Sequence, residues 1–418
     1  MARQPFRMEP VDAMWHWLSG RFGTDQFITY VFAGRPPSMA DAIAAALDRA
    51  RRHPDLALRV REDRSGLRYP LWVPGEVAHE QCTDHALADP TWAGFLDALA
   101  DLTRHQLDPR EHAWRLHVFG TVSGVPGGDD ATVVVAQFAH ALGDGLRSAA
   151  LAGVIFGRDR GPDAVVAPDR RSLPWRLAAT VRERRALARD VADGRIAAAR
   201  PMVPALSTNR PPGDQRVLRT LVRTAGSLPG PTPTVGALVA VSDALAGYMT
   251  VRGEDPTQLT AGVPIARSGA PQAFNHIDTA LVGLYPTKSR AARIPLIAAD
   301  LVAGRLRVEH PAVAAREHLF AAIPAGVRHR GVRRADFSTV PAAVPGHTVV
   351  SSVDRGPADL SFGGCPALFT AGYPGLLPIC NLAHGVHLLG DTVAVSVHAT
   401  PATDVDEYVD RLAAALDG

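Results

Sequence analysis

The stretch from Thr132 to Phe156 constrains the fold more than any other part of the chain. A β-branched apolar run, Thr132-Val133-Val134-Val135-Ala136-Gln137-Phe138, is followed by His140-Ala141-Leu142-Gly143-Asp144-Gly145 and then by helical spacing from Leu146 to Phe156. A run that is apolar on both faces predicts a strand covered on both sides, and the turn behind it leads directly into a helix, which together require a layered α/β architecture. A histidine at the end of such a strand is held on a rigid element and faces the space beyond the sheet edge. With an ordinary pKa near ~6.5, imidazole is largely neutral at pH 7 and suited to act as a general base. Asp144 occupies a helix N-cap position, and Gly143 and Gly145 permit the tight turn that keeps it close to His140.

The rest of the chain repeats the alternation of strand and helix. Expected strands in the first half are Gln26 to Phe32 and Trp114 to Val122; expected helices run from Ser38, with Asp41 completing a short-acid capping signal, to Arg52, and from Trp92 to Leu107. The second half restarts with a strand from Arg216 to Arg223, a helix from Thr234 to Val251 and a strand from Leu259 to Ile265. Helices at Ile294 to His310 and Ala312 to Ala322, strands at His347 to Ser352, Ile379 to Leu388 and Thr392 to His398, and a last helix from Asp404 to Leu416 complete it. Between the halves the texture turns rich in Pro, Gly and Arg. We therefore expect residues 1–165 and 214–418 to form two subdomains, joined by a crossover at 166–213 whose Arg-rich amphipathic stretch, Trp175 to Arg200, either packs on its own domain or lies on a membrane surface.

Composition removes several classes. With 418 residues the chain can build two real cores, and 44 basic against 42 acidic residues provide no field for a nucleic-acid backbone. The 3 cysteines, Cys82, Cys365 and Cys380, are too few and too scattered for a disulfide framework. Met1 to Pro10 lacks a signal-peptide pattern and no long uninterrupted apolar stretch occurs, so a cytoplasmic protein, membrane-peripheral at most, is expected. His384, His387 and His398 do not form a metal set, because residues three apart on a strand face opposite ways. The Gly-rich Ser123 to Asp130 lacks the Lys-Ser/Thr ending of a phosphate loop, and no Gly-x-Ser-x-Gly elbow is present. Neither a resident cofactor nor a serine hydrolase is expected. Asp359 and Phe362-Gly363-Gly364 read as a turn.

The His140-x-x-x-Asp144-Gly145 motif resembles the His-His-x-x-x-Asp-Gly motif of the wax ester synthase/diacylglycerol acyltransferase family, within the chloramphenicol acetyltransferase-like and condensation-domain superfamily of coenzyme A-dependent acyltransferases. Further segments extend the resemblance over nearly the whole chain: Glu9 to Trp15, Pro54 to Arg61, Leu107-Asp108 with Trp114-Arg115, Arg252-Gly253-Glu254 through Val263 to Arg267, and Asn275. It implies two chloramphenicol acetyltransferase-like α/β subdomains with the site in a tunnel between them. His140 would activate an alcohol for attack on an acyl-CoA or carrier-protein thioester, with acyl-CoA as co-substrate, to form a lipid or specialised-metabolite ester. Asp144 would pair with an arginine, and Arg59 is the candidate partner. Ser351 and Ser352, at a strand end in the second half, are candidate donors to the oxyanion.

Departures from the pattern are also present. Ala139 replaces the first histidine of the doublet, His112-Ala113-Trp114 stands for Pro-Leu-Trp, Gly236-Ala237 for an Asn-Asp pair, and Ser351 to Pro357 for Ser-Asn-Val-Pro-Gly-Pro. Two other readings stay open: a condensation-like enzyme with carrier-bound substrates forming an amide or ester or cyclising, and a non-catalytic homologue that binds a thioester or a partner.

Overall fold

The computed structural model describes residues 4–167 and 172–418; positions 1–3 of the N-terminal stretch and 168–171 of the expected crossover lie outside the described residues. Two six-stranded mixed sheets carry the structure. In the first, Asp130–Phe138 is central, antiparallel to Gln26–Ala33 on one side and to Trp114–Ser123 on the other. Every residue of that strand after Asp130 is buried, which accounts for its unbroken apolar pattern. Helix Gly145–Ile155 follows the turn and packs into the core of this half, against Met39–Arg52 and the aromatic cluster of Tyr30, Phe32 and Phe156. Ser38 caps Met39–Arg52 by accepting from the amide of Asp41, as its sequence signal predicts.

The second sheet runs in the order Ile277–Gly283, Thr260–Ala266, Thr348–Asp354, Leu382–Leu389, Thr392–Ala399, Val217–Thr224. Helix Pro233–Val251 is its main core element. It packs on the terminal helix Val405–Asp417, with Tyr248 set edge-on to Tyr408. It is also the one helix among the described residues long and apolar enough to cross a bilayer, but 67% of that stretch is buried within the protein.

One strand crosses the division expected from the sequence. Cys365–Tyr373, well inside residues 214–418, pairs with Gln26–Ala33 and so belongs to the first sheet, reached through the hairpin Ser361–Phe362. A segment of the expected second subdomain thus belongs to the sheet of the first. Without this strand Gln26–Ala33, buried over most of its length, would be an open edge. Gly363 and Gly364 have φ of 56° and 85°, the left-handed pair that a two-residue hairpin needs. The two sheets meet where Gly372 of this strand faces Gly385 of Leu382–Leu389: a Cβ on Gly385 would lie 2.0 Å from the Gly372 carbonyl oxygen.

The Arg-rich helix spans Leu173–Ala192, shorter than expected, because Gly194 at φ 71° turns the chain out of it. It packs against Pro311–Phe320, where Thr180 Oγ1 donates to the carbonyl of Ala315. Trp175 and Leu177 remain exposed on it.

Candidate active site

The motif is assembled from the strand end outward. After Phe138 the chain makes a single tight turn over His140–Leu142, and Asp144 then caps Gly145–Ile155 by accepting from the Arg147 amide at 3.0 Å. Its second oxygen accepts from the main-chain N–H of His276 at 2.8 Å. The motif aspartate thus ties the helix start to a segment of the other half.

Arg59 is not its partner. Leu58–Arg61 alternates buried and exposed residues, which places Arg59 on the solvent side. An ion pair does link the Pro54 to Arg61 segment to the motif, but through other residues: Arg147 Nη2 lies 2.6 Å from Asp55 Oδ2, with both side chains almost fully buried and the guanidinium over the Phe274 ring. Gly143 makes room for it, since a Cβ there would come within 2.8 Å of Arg147 Cβ.

A second buried network holds the His140 main chain. Asp12, 2% exposed, accepts from the amides of Phe274 and Asn275 and from Asn275 Nδ2; the same Nδ2 donates to the carbonyl of His140 at 2.9 Å. Burial pushes the Asp12 carboxyl up to about 7 against the pull of these donors. Gln26 Nε2 donates to the carbonyl of Gly143 on the other side of the turn. The His140 ring lies flat against Trp15. Burial holds its pKa below the ordinary histidine value, while its own carbonyl, Asp144 and Asn275 act in the opposite direction.

His140 and Gly145 form part of the wall of a mostly apolar cavity of about 670 Å³ between the two halves. Trp15 and Gln26 line it from the first half, Thr234 and Val263 from the second. Ser351 and Ser352 reach the same cavity, both half-buried, and Ser352 Oγ lies 2.7 Å from Thr234 Oγ1 at the first turn of Pro233–Val251. A side chain at Gly145 would crowd the cavity wall, because a Cβ there would stand 3.2 Å from Val353 Cγ2. The strand histidines divide as alternation predicts. His384 bonds Thr348 and Tyr408 on the helix side, and His387 faces the cavity.

The structure therefore gathers His140, Asp144, Gly145, Ser351 and Ser352 in one place and leaves Arg59 outside it. Trp15, Asp12, Gln26 and Asn275 join them. Glu9 to Trp15 and Asn275 belong to the segments on which the family resemblance rests, but no local pattern tells that they converge on His140.

No protein-family model and no curated protein matches the sequence. Solved structures do. The wax ester synthase/diacylglycerol acyltransferase from Marinobacter aquaeolei VT8 is similar with a TM-score of 0.63 at 17% identity, over 98% of each chain. The starter condensation domain of rhizomide synthetase, solved with C8-CoA and Leu-SNAC, gives 0.58 at 14% identity over 99% of this chain and 93% of that one. Trichothecene 15-O-acetyltransferase from Fusarium sporotrichioides gives 0.58 at 13% identity over 99% and 94%. The chain has the two-subdomain, chloramphenicol acetyltransferase-like α/β fold of these acyltransferases and condensation domains.

Proposed function

We propose that the protein transfers an acyl group from acyl-CoA, or from a carrier-protein thioester, to an alcohol, with His140 as general base and no covalent acyl-enzyme. The observation that carries this reading is a histidine kept neutral by burial, gripped at its main chain by Asn275 and at its ring by Trp15, on the wall of a cavity built by both halves. Solved structures with the same fold include enzymes named for ester formation and a domain holding an acyl-CoA.

In this mechanism the alcohol donates its proton to His140 as its oxygen attacks the thioester carbonyl. The negative charge collects on the former carbonyl oxygen, within reach of hydroxyl donors such as Ser351, Ser352 and Thr234. Collapse re-forms the C=O bond, expels the thiolate and returns the proton from His140 to sulfur. Asp144 does not take the proton. It accepts two main-chain N–H groups and holds the turn against the second half.

The test is thiol release from acyl-CoAs of graded length with mixed alcohols, for wild type and His140→Ala. Acceptor-dependent release that falls by ~100-fold or more in the variant is expected. Release only with an acyl carrier protein would move the donor to a carrier thioester and favour the condensation-like reading. No release with either donor, alongside tight binding, would leave the non-catalytic one.

A further inference from the structure

Arg355 follows directly on the strand Thr348–Asp354 and turns its side chain inward. It is 4% exposed, yet it lines the cavity that His140 lines. Its Nε and Nη1 are buried with no hydrogen-bond partner among the described residues. The guanidinium overhangs the Tyr30 ring, 5.8 Å from its centroid, and a Cβ on Gly372 would lie 3.1 Å from its Nη2. Two more polar atoms close by, Tyr30 Oη and His387 Nδ1, are buried and make no hydrogen bond of normal geometry among the described residues, and the neutral Tyr30 hydroxyl is the one polar group that acts favourably on the guanidinium. The nearest acids in sequence are turned elsewhere: Asp354 accepts from the Gly356 amide, and Asp359 pairs with Arg158.

Taking a guanidinium out of water without a counter-charge costs more than a ring contact returns, so a buried cation in a cavity wall calls for an anion from within the cavity. The charge of that anion follows from the wall. His387 is held neutral by burial and by Arg355 itself, His140 by burial, and Arg305, the other arginine lining the cavity, is exposed. The buried wall thus offers one positive charge. A carboxylate balances it and fits the planar guanidinium fork, whereas a phosphate monoester, at about −1.5 to −2, would leave charge unmatched.

We propose that Arg355 is the receptor for a free carboxylate on a substrate, so that the acyl donor or the alcohol acceptor carries an additional carboxyl group. The assignment to a substrate rests on the acyl-transfer reading; the demand for an anion rests on Arg355 alone.

Calorimetric titration of the full chain with two matched series tests it. One pairs dicarboxylyl-CoAs, succinyl to suberyl, with monocarboxylyl-CoAs of equal length, and the other pairs hydroxy acids with the corresponding diols. In wild type at least one series should show the carboxylate binding about tenfold tighter or more than its neutral counterpart, and that series identifies the substrate that carries it. Arg355→Gln should erase the preference; Arg355→Lys, which keeps the charge and loses the fork, should weaken it. Absence of any preference in wild type overturns the proposal whether or not the variants fold, and so does a preference that survives Arg355→Gln. His140→Ala should retain the preference. A carboxylate preference in a protein that releases no thiol would overturn the acyl-transfer reading and leave the Arg355 site standing.

Discussion

Trp15 lies flat on His140, with ring centroids 3.8 Å apart and planes within 9° of parallel. The helix that carries Trp15, Pro10–Ser19, also carries Asp12, whose carboxylate holds Asn275, which in turn holds the His140 carbonyl. One short helix therefore positions both the ring and the main chain of the proposed base. Replacing Trp15 by Leu should lower kcat by ~10- to 100-fold with little change in KM, the effect expected when a reacting group is misplaced by about an ångström. Trp15→Phe, which retains an aromatic face, should recover most of the rate. Steady-state kinetics of the two variants decides, and equal activity of Trp15→Leu and wild type would refute a positioning role.

The pH dependence follows from the same burial. A general base works in its neutral form, and His140 has its pKa held below the ordinary 6.5. Activity should therefore persist as pH falls past 6.5 and decline only on reaching the lowered pKa. The acidic limb of a kcat/KM profile measures this directly, and a limb at or above 6.5 would contradict it.

Gly145 and Val353 line the cavity side by side. Gly145→Val would push its branched side chain against Val353 and reduce the space in the cavity. Loss of transfer with long acyl donors before short ones is the expected pattern, read from a chain-length series of kcat/KM.

The Asp55–Arg147 pair should be worth more to folding than to chemistry. Asp55→Ala removes a buried carboxylate 2.6 Å from the Arg147 guanidinium and should destabilise the protein by ~3–5 kcal/mol in chemical denaturation. The double variant Asp55→Leu, Arg147→Met, which removes both charges, should recover much of that loss. Full stability of the single variant would show that the pair contributes nothing net to folding.

Much of the secondary structure was legible from local pattern. The Thr132 to Phe138 run, the Ser38 cap, the helix from Pro233 and the last two strands appear within a few residues of where periodicity and turn chemistry put them, because those signals act between near neighbours in the chain. The partner of Asp144 was not legible. Pairing it with Arg59 matched opposite charges across two segments that do meet, but the alternation of Leu58–Arg61 turns Arg59 to solvent. Asp55 and Arg147 make the link between those segments.

What the sequence by itself determined is an α/β chain in two halves, with a histidine carried at the end of a buried strand and an aspartate capping the next helix. These follow from apolar period, β-branching and the short-range hydrogen bonds of Asp and Gly. Only the tertiary structure decided that Cys365–Tyr373 crosses to complete the first sheet, that Trp15 covers His140, and that Arg355 lines the cavity with Nε and Nη1 lacking a hydrogen-bond partner among the described residues. Each depends on which edges and faces remain uncovered once both sheets have formed, a condition met across hundreds of residues and carried by no local pattern.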